Sequence, residues 1–432
     1  MKDDRLERFR QDIHHLLGKA KDATFELMDS VMSTRKANCL GEFALSPLFT
    51  RKWSSVYEAL QDTRPRRKAL MKRCIEEIPD SEYILLGIDH TGWERREAKT
   101  LKDRGYHYQA SSKKGVSIGQ GYSTIAWLPP EQGSWALPLR HERITSFETP
   151  ISKAAEQLKQ VSHQLQQKLL VVLDSEYGNG SWVNQTGELS VSRLMRIRSN
   201  CCLWSKPPAY SGRGRPRKHG AKFKVNDPTT WWEADEIVEV KDPKLGLVRL
   251  KKWKDVHFRS SASHPMSVIQ LQKLNSKNLQ KNSRPIWLVW VGEEFLALEK
   301  VWSQYARRFG VDHWYRFAKQ RLHWTLPHLS TPEQSQRWSD LMPLMSWQLW
   351  LARDRVQQYH LPWQSPLTNL TPGRVAQSMF SLFVEIGSPT TSPKTRGKSP
   401  GWQKGRKRNK RKTYPLVKKR YSPPRKAKKK MA

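Results

Sequence analysis

Short runs of apolar residues, separated by polar stretches, recur along the middle of this 432-residue chain. YILLGIDHTGW, YSTIAWLPP and SWALPLRHERI follow one another after residue 80 and predict three strands of a meander. KLLVVLDSEYGNG and PIWLVWVGE have the continuous apolar character of buried strands. Strands of both kinds indicate an α/β fold with a mixed sheet that helices flank.

Helical patterns lie between and around these strands. PISKAAEQLKQVSHQLQQ has proline near its start and helix formers after it. LEKVWSQYARRFGVDHWYRFAKQRLHW predicts one long helix, and WSDLMPLMSWQLWLARDRV predicts a second, largely buried one. On the first of these helices a polar face recurs at spacings of three and four residues, formed by Arg308, Asp312, Arg316, Lys319 and His323.

Changes in composition divide the chain into six segments. The first 80 residues are helical in pattern with basic clusters, residues 201–285 are polar and rich in Trp and Lys with strand-like alternation, and the last 40 cannot bury enough apolar surface to order themselves. We therefore expect a helical N-terminal DNA-binding domain (1–80), a central α/β domain in two parts (81–200 and 286–355), a β-rich insertion (201–285), a C-terminal segment (356–392) and a disordered basic tail (393–432).

The charge of the chain favours a polyanionic partner. Lys and Arg number 77 against 40 acids, which gives a formal charge of +37, and nucleic acid is the first candidate partner. The residues from Thr391 onward contribute +18 of this charge without a single acid.

No run of 18 apolar residues occurs and the start is highly charged, so we expect a soluble cytoplasmic protein without a membrane partner. The four cysteines show no zinc-like spacing.

Three acids stand out as candidates for chemistry. Asp89 and Asp174 lie near the ends of apolar strands, and Asp312 lies on the basic helix. Taken singly, a strand-end aspartate is most often a turn or cap residue, and Asp312 would be an ion-pair partner of Arg308 or Arg316. Taken together, three carboxylates in these places suit a pair of Mg²⁺ or Mn²⁺ ions that act on a phosphodiester.

Several motifs resemble the DDE transposases of bacterial insertion sequences. Tyr305, Arg308, Asp312 and Lys319 have the order and spacing of that family's Tyr-Arg-acid-Lys signature. IDHTGW and VVLDSEYGN resemble its first-acid and second-acid strands, and RLMRIRSN and GRPRKHGAKFKVNDPTTW resemble one of its subgroups. The likeness covers nearly the whole chain, and residues 83–355 are its most specific part.

The resemblance implies a ribonuclease-H-like fold and a specific set of roles. Asp89, Asp174 and Asp312 would be the catalytic residues and would hold two Mg²⁺ (or Mn²⁺) ions. Tyr305, Arg308 and Lys319, together with the neighbouring Arg316, would hold double-stranded DNA. The protein would cut at the terminal inverted repeats of its element and join the ends to target DNA, as a homodimer bound to both ends.

One departure from the family pattern leaves alternatives open. The third acid of the family is usually glutamate, and Asp312 is one methylene shorter, so a catalytically inactive DNA-binding relative is the alternative reading. Substitutes for Asp312 are Glu176, Glu294 and Glu299, of which none fits the four-residue signature. A ribonuclease-H-like nuclease acting on RNA is a more remote possibility.

Two further features have both a DNA-binding and a simpler interpretation. SGRGRPRKHG, which contains Arg213, Arg215 and Arg217, resembles an AT-hook for the minor groove, although a basic loop that contacts phosphates is the preferred reading. Trp231, Trp232 and Trp253 would stack on unpaired bases, or else pack in a core.

Overall fold

The structure is a computed structural model in which the placed residues form one mixed α/β unit. It describes residues 4–108, 115–130, 133–210, 212, 214–243, 245–274, 284–358, 362–363, 365–366, 369–395, 401, 403–407 and 409–418. Among the helices of these residues, none combines the length and the apolar character that a membrane crossing requires.

Twelve strands of the described residues belong to a single sheet. They are β1 (Tyr83–Glu94), β2 (Gly105–Tyr108), β3 (Val116–Trp127), β4 (Leu137–Ile144), β5 (Lys168–Leu173), β6 (Ser192–Arg196), β7 (Cys202–Ser205), β8 (Lys222–Lys224), β9 (Glu236–Asp242), β10 (Gly246–Phe258), β11 (Met266–Lys273) and β12 (Ile286–Val291).

Ten α-helices of the described residues surround or extend this sheet. They are α1 (Arg5–Leu16), α2 (Lys21–Ser33), α3 (Ser54–Asp62), α4 (Arg67–Ile75), α5 (Pro150–Ser162), α6 (Gly180–Thr186), α7 (Leu298–Ala306), α8 (Phe309–Gln320), α9 (Pro332–Ala352) and α10 (Pro372–Ile386). Short 3-10 helices occur at Leu40–Leu45 and Pro228–Thr230.

The order and direction of the strands show that the sheet is mixed. The order along the sheet is β2-β3-β1-β5-β6-β12-β11-β10-β7-β8, with β4 also paired to β3 and β9 to β10. β5 runs parallel to both β1 and β6, and the other pairs are antiparallel. This mixed sheet flanked by helices confirms the predicted fold class and is consistent with a ribonuclease-H-like domain.

The two faces of β1 meet different helices, because successive side chains of a strand point to opposite faces. Gly87 lies so close to α8 that an added Cβ would be 2.7 Å from Val311. On the other face, Ser123 of β3 donates a hydrogen bond of 2.7 Å to Gln157 of α5. Helix α8 therefore covers the face to which Gly87 and Asp89 belong, and α5 covers the opposite face.

The N-terminal helices pack on the C-terminal ones. Arg10 of α1 is buried and forms two hydrogen bonds of 2.8 Å with Asp29 of α2 and one of 2.7 Å with Gln348 of α9. A buried arginine and carboxylate are tolerated together because each neutralises the other. Residues 5–75 therefore share their core with α9 and α10.

The strands of residues 201–285 extend the same sheet through the pairing of β11 with β12. Trp231, Trp232 and Trp253 pack around Phe223, with ring centroids 5.2–5.9 Å from it, and Trp253 is 2% exposed. The structure therefore favours the core interpretation of these tryptophans over base stacking.

The single long helix predicted around residue 300 is wrong, because the chain forms α7 and α8 with a turn between them. At this turn the amides of Arg308 and Val311 bond to carbonyls three residues earlier, those of Tyr305 and Arg308, instead of four. Gly310 lies next to the carbonyl of Trp135, to which an added Cβ would come within 3.2 Å. The chain therefore has both the tighter turn and the close packing against Trp135 at the junction of α7 and α8.

Composition predicts a disordered tail over 393–432, but residues 414–417 form backbone contacts with the rest of the structure. The amide of Tyr414 donates to the carbonyl of Lys99, and that of Val417 donates to the carbonyl of Arg104. Val417 also forms a parallel bridge with Gly105 at the start of β2. The segment finds its backbone partners on the edge of the sheet, which a composition argument does not consider.

Candidate active site

The register of β1 and β5 brings the first two aspartates together. These strands are parallel, and Ile88 is the partner of Leu173. Asp89 is the next residue of β1 and Asp174 is the first residue after β5, so they lie side by side where this pairing stops. The sequence predicted that Asp89 lies near the end of its strand. In the structure β1 continues past Asp89 to Glu94, because it pairs in antiparallel fashion with β3.

Asp89 is held from several sides. The amide of His90 donates to its Oδ1 at 2.8 Å, and the hydroxyl of Tyr315 on α8 donates to its backbone carbonyl at 2.8 Å. The same hydroxyl lies 2.8 Å from the Thr124 hydroxyl, which lies 2.8 Å from Nδ1 of His141. Burial lowers the pKa of His141 to about 3, so this imidazole is neutral and serves as a hydrogen-bond partner.

Asp174 begins a tight turn after β5. Its Oδ1 accepts a hydrogen bond of 2.9 Å from the amide of Glu176, and its carbonyl accepts one of 3.3 Å from the amide of Tyr177. Tyr177 is fully buried, and Gly178 passes so close to β6 that an added Cβ would lie 2.0 Å from the carbonyl oxygen of Arg196. The turn is therefore fixed by both hydrogen bonds and close packing.

Asp312 reaches the site from the first turn of α8, with Arg308 beside it. The guanidinium of Arg308 lies 3.3 Å from Asp312 and 3.8 Å from Asp89, and only 10% of its side chain is exposed. The ion pair that the spacing of Arg308 and Asp312 predicts is thus present. Arg308 also bridges the sheet carboxylate to the helix carboxylate.

The site carries more negative charge than Arg308 neutralises. Burial raises the pKa of the Asp89 carboxyl well above its ordinary value, and the charges of Asp174 and Asp312 raise it further, whereas Arg308 lowers it. A raised pKa means that the charged form of Asp89 is disfavoured as the site stands. A divalent cation would supply the missing positive charge.

Oxygen ligands of this kind are those that Mg²⁺ and Mn²⁺ prefer, so the donor set fits such ions. Within the described residues, however, no three His, Cys, Asp or Glu side chains are close enough to hold one ion without rearrangement. Arg308 forms ion pairs with both Asp89 and Asp312. A cation held by these two carboxylates would therefore compete with the guanidinium for them.

The residues predicted to hold DNA differ in exposure. Arg316 is exposed, whereas Tyr305 and Arg308 are buried. Lys319 is half-buried, and its Nζ donates a hydrogen bond of 2.8 Å to the hydroxyl of Thr91 on β1. Of the predicted basic loop, Arg215 and Arg217 are exposed, and Arg213 lies outside the described residues.

The three glutamates considered as substitutes for Asp312 lie in other surroundings. Glu176 faces His90, with 3.5 Å between Oε2 and Nε2. Glu294 forms an ion pair with Lys252, and Glu299 is exposed in the first turn of α7. Among the described residues, none of the three forms an ion pair with Arg308, in contrast to Asp312.

Sequence reasoning did not find Tyr315, Thr124 or Thr91. Tyr315 is three residues after Asp312, which is a helical neighbour spacing, but its partner Asp89 is 226 residues away in the chain. Thr91 is two residues after Asp89 on the same strand, so strand alternation alone would have placed it on the face of Asp89.

Residues 17–262 match the family described as DDE superfamily endonuclease. The match covers more than half of the chain and includes Asp89 and Asp174, whereas Asp312 follows its end. DDE superfamily endonucleases generally depend on divalent metal ions and act on DNA. No curated protein matches the chain closely enough to count as a relative. The match confirms the resemblance drawn from the sequence motifs: the chain belongs to the DDE superfamily of endonucleases, of the transposase type.

Proposed function

We propose that the protein is a transposase that cuts DNA at the terminal inverted repeats of a bacterial insertion sequence and joins the freed 3′ ends to target DNA. The observation that carries this proposal is the pairing of Ile88 with Leu173, which makes Asp89 and Asp174 neighbours, with Asp312 joined to Asp89 through Arg308. The charge of +37 favours the same polyanionic substrate.

In the proposed mechanism Asp89, Asp174 and Asp312 are the carboxylates that would hold two Mg²⁺ or Mn²⁺ ions. When bound, such ions activate the attacking oxygen and stabilise the leaving oxygen of a phosphodiester. The protein's own contribution is to fix these carboxylates. Tyr315 holds the backbone of Asp89 at 2.8 Å, and the turn after β5 holds Asp174.

The cations around the carboxylates would position the DNA. Arg316 on the exposed side of α8 would contact a phosphate directly, and Lys319 stands behind it on the same helix. Arg308 would exchange its carboxylate partners for a phosphate oxygen when the ions bind. Two element ends must be processed together, so we propose a homodimer on DNA, working at the nucleoid in a prokaryotic cytoplasm.

Removal of divalent metal should stop cleavage and leave DNA binding in place. We expect purified protein to cut a duplex with an element end in the presence of Mg²⁺ and to lose this activity in EDTA, because phosphodiester cleavage requires the cations. Binding of DNA by the basic surface does not require them. Gel analysis of the products and a mobility shift of the same duplex measure the two properties. Undiminished cleavage in EDTA would overturn the proposed chemistry.

Replacement of Asp312 by Glu separates a weakened enzyme from an inactive relative. We expect the variant to cut about tenfold faster than the parent, because the longer side chain extends the carboxylate by one methylene and small errors of placement are costly in rate. Single-turnover cleavage at saturating Mg²⁺ gives the comparison, with Asp312→Asn as the negative control. If the parent and the glutamate variant are both without activity while they still bind DNA, the alternative of an inactive relative is correct.

A further inference from the structure

The loop between β1 and β2 and the docked part of the tail form one basic surface, which we call the loop-tail surface. The loop consists of residues 95–104, and the tail contributes residues 410–418. The exposed cations that the two segments place next to each other are Arg96, Lys99 and Lys102 of the loop and Lys410, Arg411 and Lys412 of the tail. The two segments are about three hundred residues apart in the chain, so only the fold brings these charges together.

Few acids balance the charge of the loop-tail surface. Arg96 lies 3.8 Å from Glu94, and Asp103 forms an ion pair with Arg143. Among the described residues, the other two lysines of the loop and the three tail cations form no ion pair. Glu97 is the one remaining acid of the loop, and the tail has none. The excess of cations gives the surface a positive potential, which favours a polyanion.

Two buried arginines stiffen the loop and add to its positive charge. Arg95 donates to the carbonyls of Pro327 at 3.0 Å and Leu329 at 2.8 Å, and Arg104 donates to those of Arg95 at 3.3 Å and Arg96 at 2.6 Å. These carbonyls satisfy the donors without supplying a full negative charge. Burial lowers the pKa of Arg95, and the like charge of Arg104 also lowers it.

Backbone hydrogen bonds hold the tail on the loop. The amide of Tyr414 donates to the carbonyl of Lys99 at 2.9 Å, and the amide of Val417 donates to the carbonyl of Arg104 at 2.7 Å. The tail cations immediately precede Tyr414 in the chain. A tethered group acts at a high effective concentration, so docking keeps these cations near the loop instead of spreading them over the reach of a free tail.

The loop-tail surface lies within reach of DNA at the carboxylates, because the loop directly continues β1. Glu94, the last residue of β1, is five positions after Asp89. At a rise of about 3.3 Å per residue this is roughly 17 Å along the strand. One turn of duplex DNA is about 34 Å long, so a duplex that has a phosphate at Asp89 extends far enough to meet the loop.

We propose that the loop-tail surface binds the phosphate backbone of double-stranded DNA, and that docking of residues 414–417 is what assembles it. The proposal rests on the proposed function for its choice of DNA. It gives the basic tail a fixed place in the complex, beside the end of β1. The contacts are with phosphates, so they hold the duplex without reading its sequence.

A proline in place of Val417 separates docking from charge. Proline has no amide proton, so Val417→Pro removes the bond to the Arg104 carbonyl and leaves the net charge of the protein unchanged. By fluorescence anisotropy in EDTA we expect the variant to bind a duplex about fivefold more weakly than the parent, with a smaller salt dependence. Asn409→Pro, at an exposed position of the tail before the docked residues, is the control and should bind as the parent does.

Removal of the tail cations gives the second arm of the test. We expect Lys410→Ala/Arg411→Ala to weaken binding about tenfold and to lower the slope of log K against log salt by about two. Lys394→Ala/Lys404→Ala removes the same charge from exposed positions farther from the docked residues and should have a smaller effect. In the Val417→Pro background the Lys410→Ala/Arg411→Ala pair should cost less than it does in the parent, because the two changes act on one surface.

Hydrogen exchange measures docking directly. We expect the amide of Tyr414 to exchange more slowly in the parent than in a synthetic peptide of residues 405–418, and the Val417→Pro variant to lose this protection. Exchange in the parent at the rate of the peptide would overturn the proposal. Equal DNA affinity and salt slope for the parent and Val417→Pro, despite faster exchange in the variant, would overturn it as well.

Two further comparisons separate the partner and the chemistry. If Val417→Pro lost affinity for duplex RNA or for phosphatidylglycerol vesicles but kept its affinity for duplex DNA, DNA would be the wrong partner and the proposal would fail. If the expected losses of DNA affinity are found and cleavage is never observed with Mg²⁺, the loop-tail surface stands and the catalytic proposal fails.

Discussion

Asp89→Asn should reduce the rate of DNA cleavage by a factor on the order of 10³ or more. Loss of one group that stabilises the charge of a reacting phosphate typically lowers the rate by this much. Asn has the shape of Asp, and its amide oxygen still accepts from the amide of His90. What it lacks is the charge that, with Asp174, would hold the cations. Single-turnover cleavage of a duplex with an element end measures the effect.

Stability provides a second readout for Asp89→Asn. Burial and the charge of Asp174 raise the pKa of Asp89, so the ionised form opposes folding at neutral pH. We expect the variant to have an unchanged or higher free energy of unfolding without metal. Added Mg²⁺ should raise the Tm of the parent by mass action and should do so less for the variant.

The matched control is Glu94→Gln on the same strand. Glu94 is the last residue of β1, its side chain is 52% exposed, and its ion-pair partner is Arg96. We expect it to cleave as the parent does. Should Asp89→Asn retain full cleavage, the carboxylate pair at the junction of β1 and β5 would not be the active site.

Gly178→Ala should reduce cleavage by about 10²-fold. The added Cβ would lie 2.0 Å from the carbonyl oxygen of Arg196 and 3.0 Å from its carbonyl carbon, and both are backbone atoms of a paired strand region that cannot simply rotate away. The turn between Asp174 and α6 must therefore shift by about 1 Å, and an error of this size in a reacting group costs about two orders of magnitude in rate.

This variant should also lose about 1–3 kcal/mol of stability, as is typical of overpacking. Chemical denaturation measures that loss, and binding of DNA in EDTA should remain near the parental value because the basic surfaces are untouched. Gly41→Ala is the control, since the nearest atom to its added Cβ is the Tyr57 hydroxyl at an ordinary 3.6 Å. Full activity of Gly178→Ala would show that the position of this turn is not critical.

Local pattern was enough to predict the elements around the site. The apolar run before Asp174 and the one around Asp89 are strands, and the region from Phe309 to Gln320 is a helix. Each of these depends on the spacing of apolar residues within about a dozen positions, which the sequence displays directly. The approximate position of each acid followed from this.

The local pattern could not predict which helices and strands contact one another. That Ile88 pairs with Leu173, and that Tyr315 reaches the carbonyl of Asp89, depends on contacts between residues 85 and 226 positions apart. Nor does composition indicate that Arg308 would be buried between two carboxylates, since a basic residue on a helix is usually exposed.

The place of β12 in the sheet has a consequence for synthesis of the chain. β12 pairs with β6 on one side and with β11 on the other, although β6 precedes it by about ninety residues. Until β12 has left the ribosome, the edge of β6 in the nascent protein lacks the strand that pairs with it. Strands β7 to β11 also lack the strand that connects them to the rest of the sheet. Such an edge is a site for mispairing between chains, so the interval between these two strands is when aggregation during translation is most favoured.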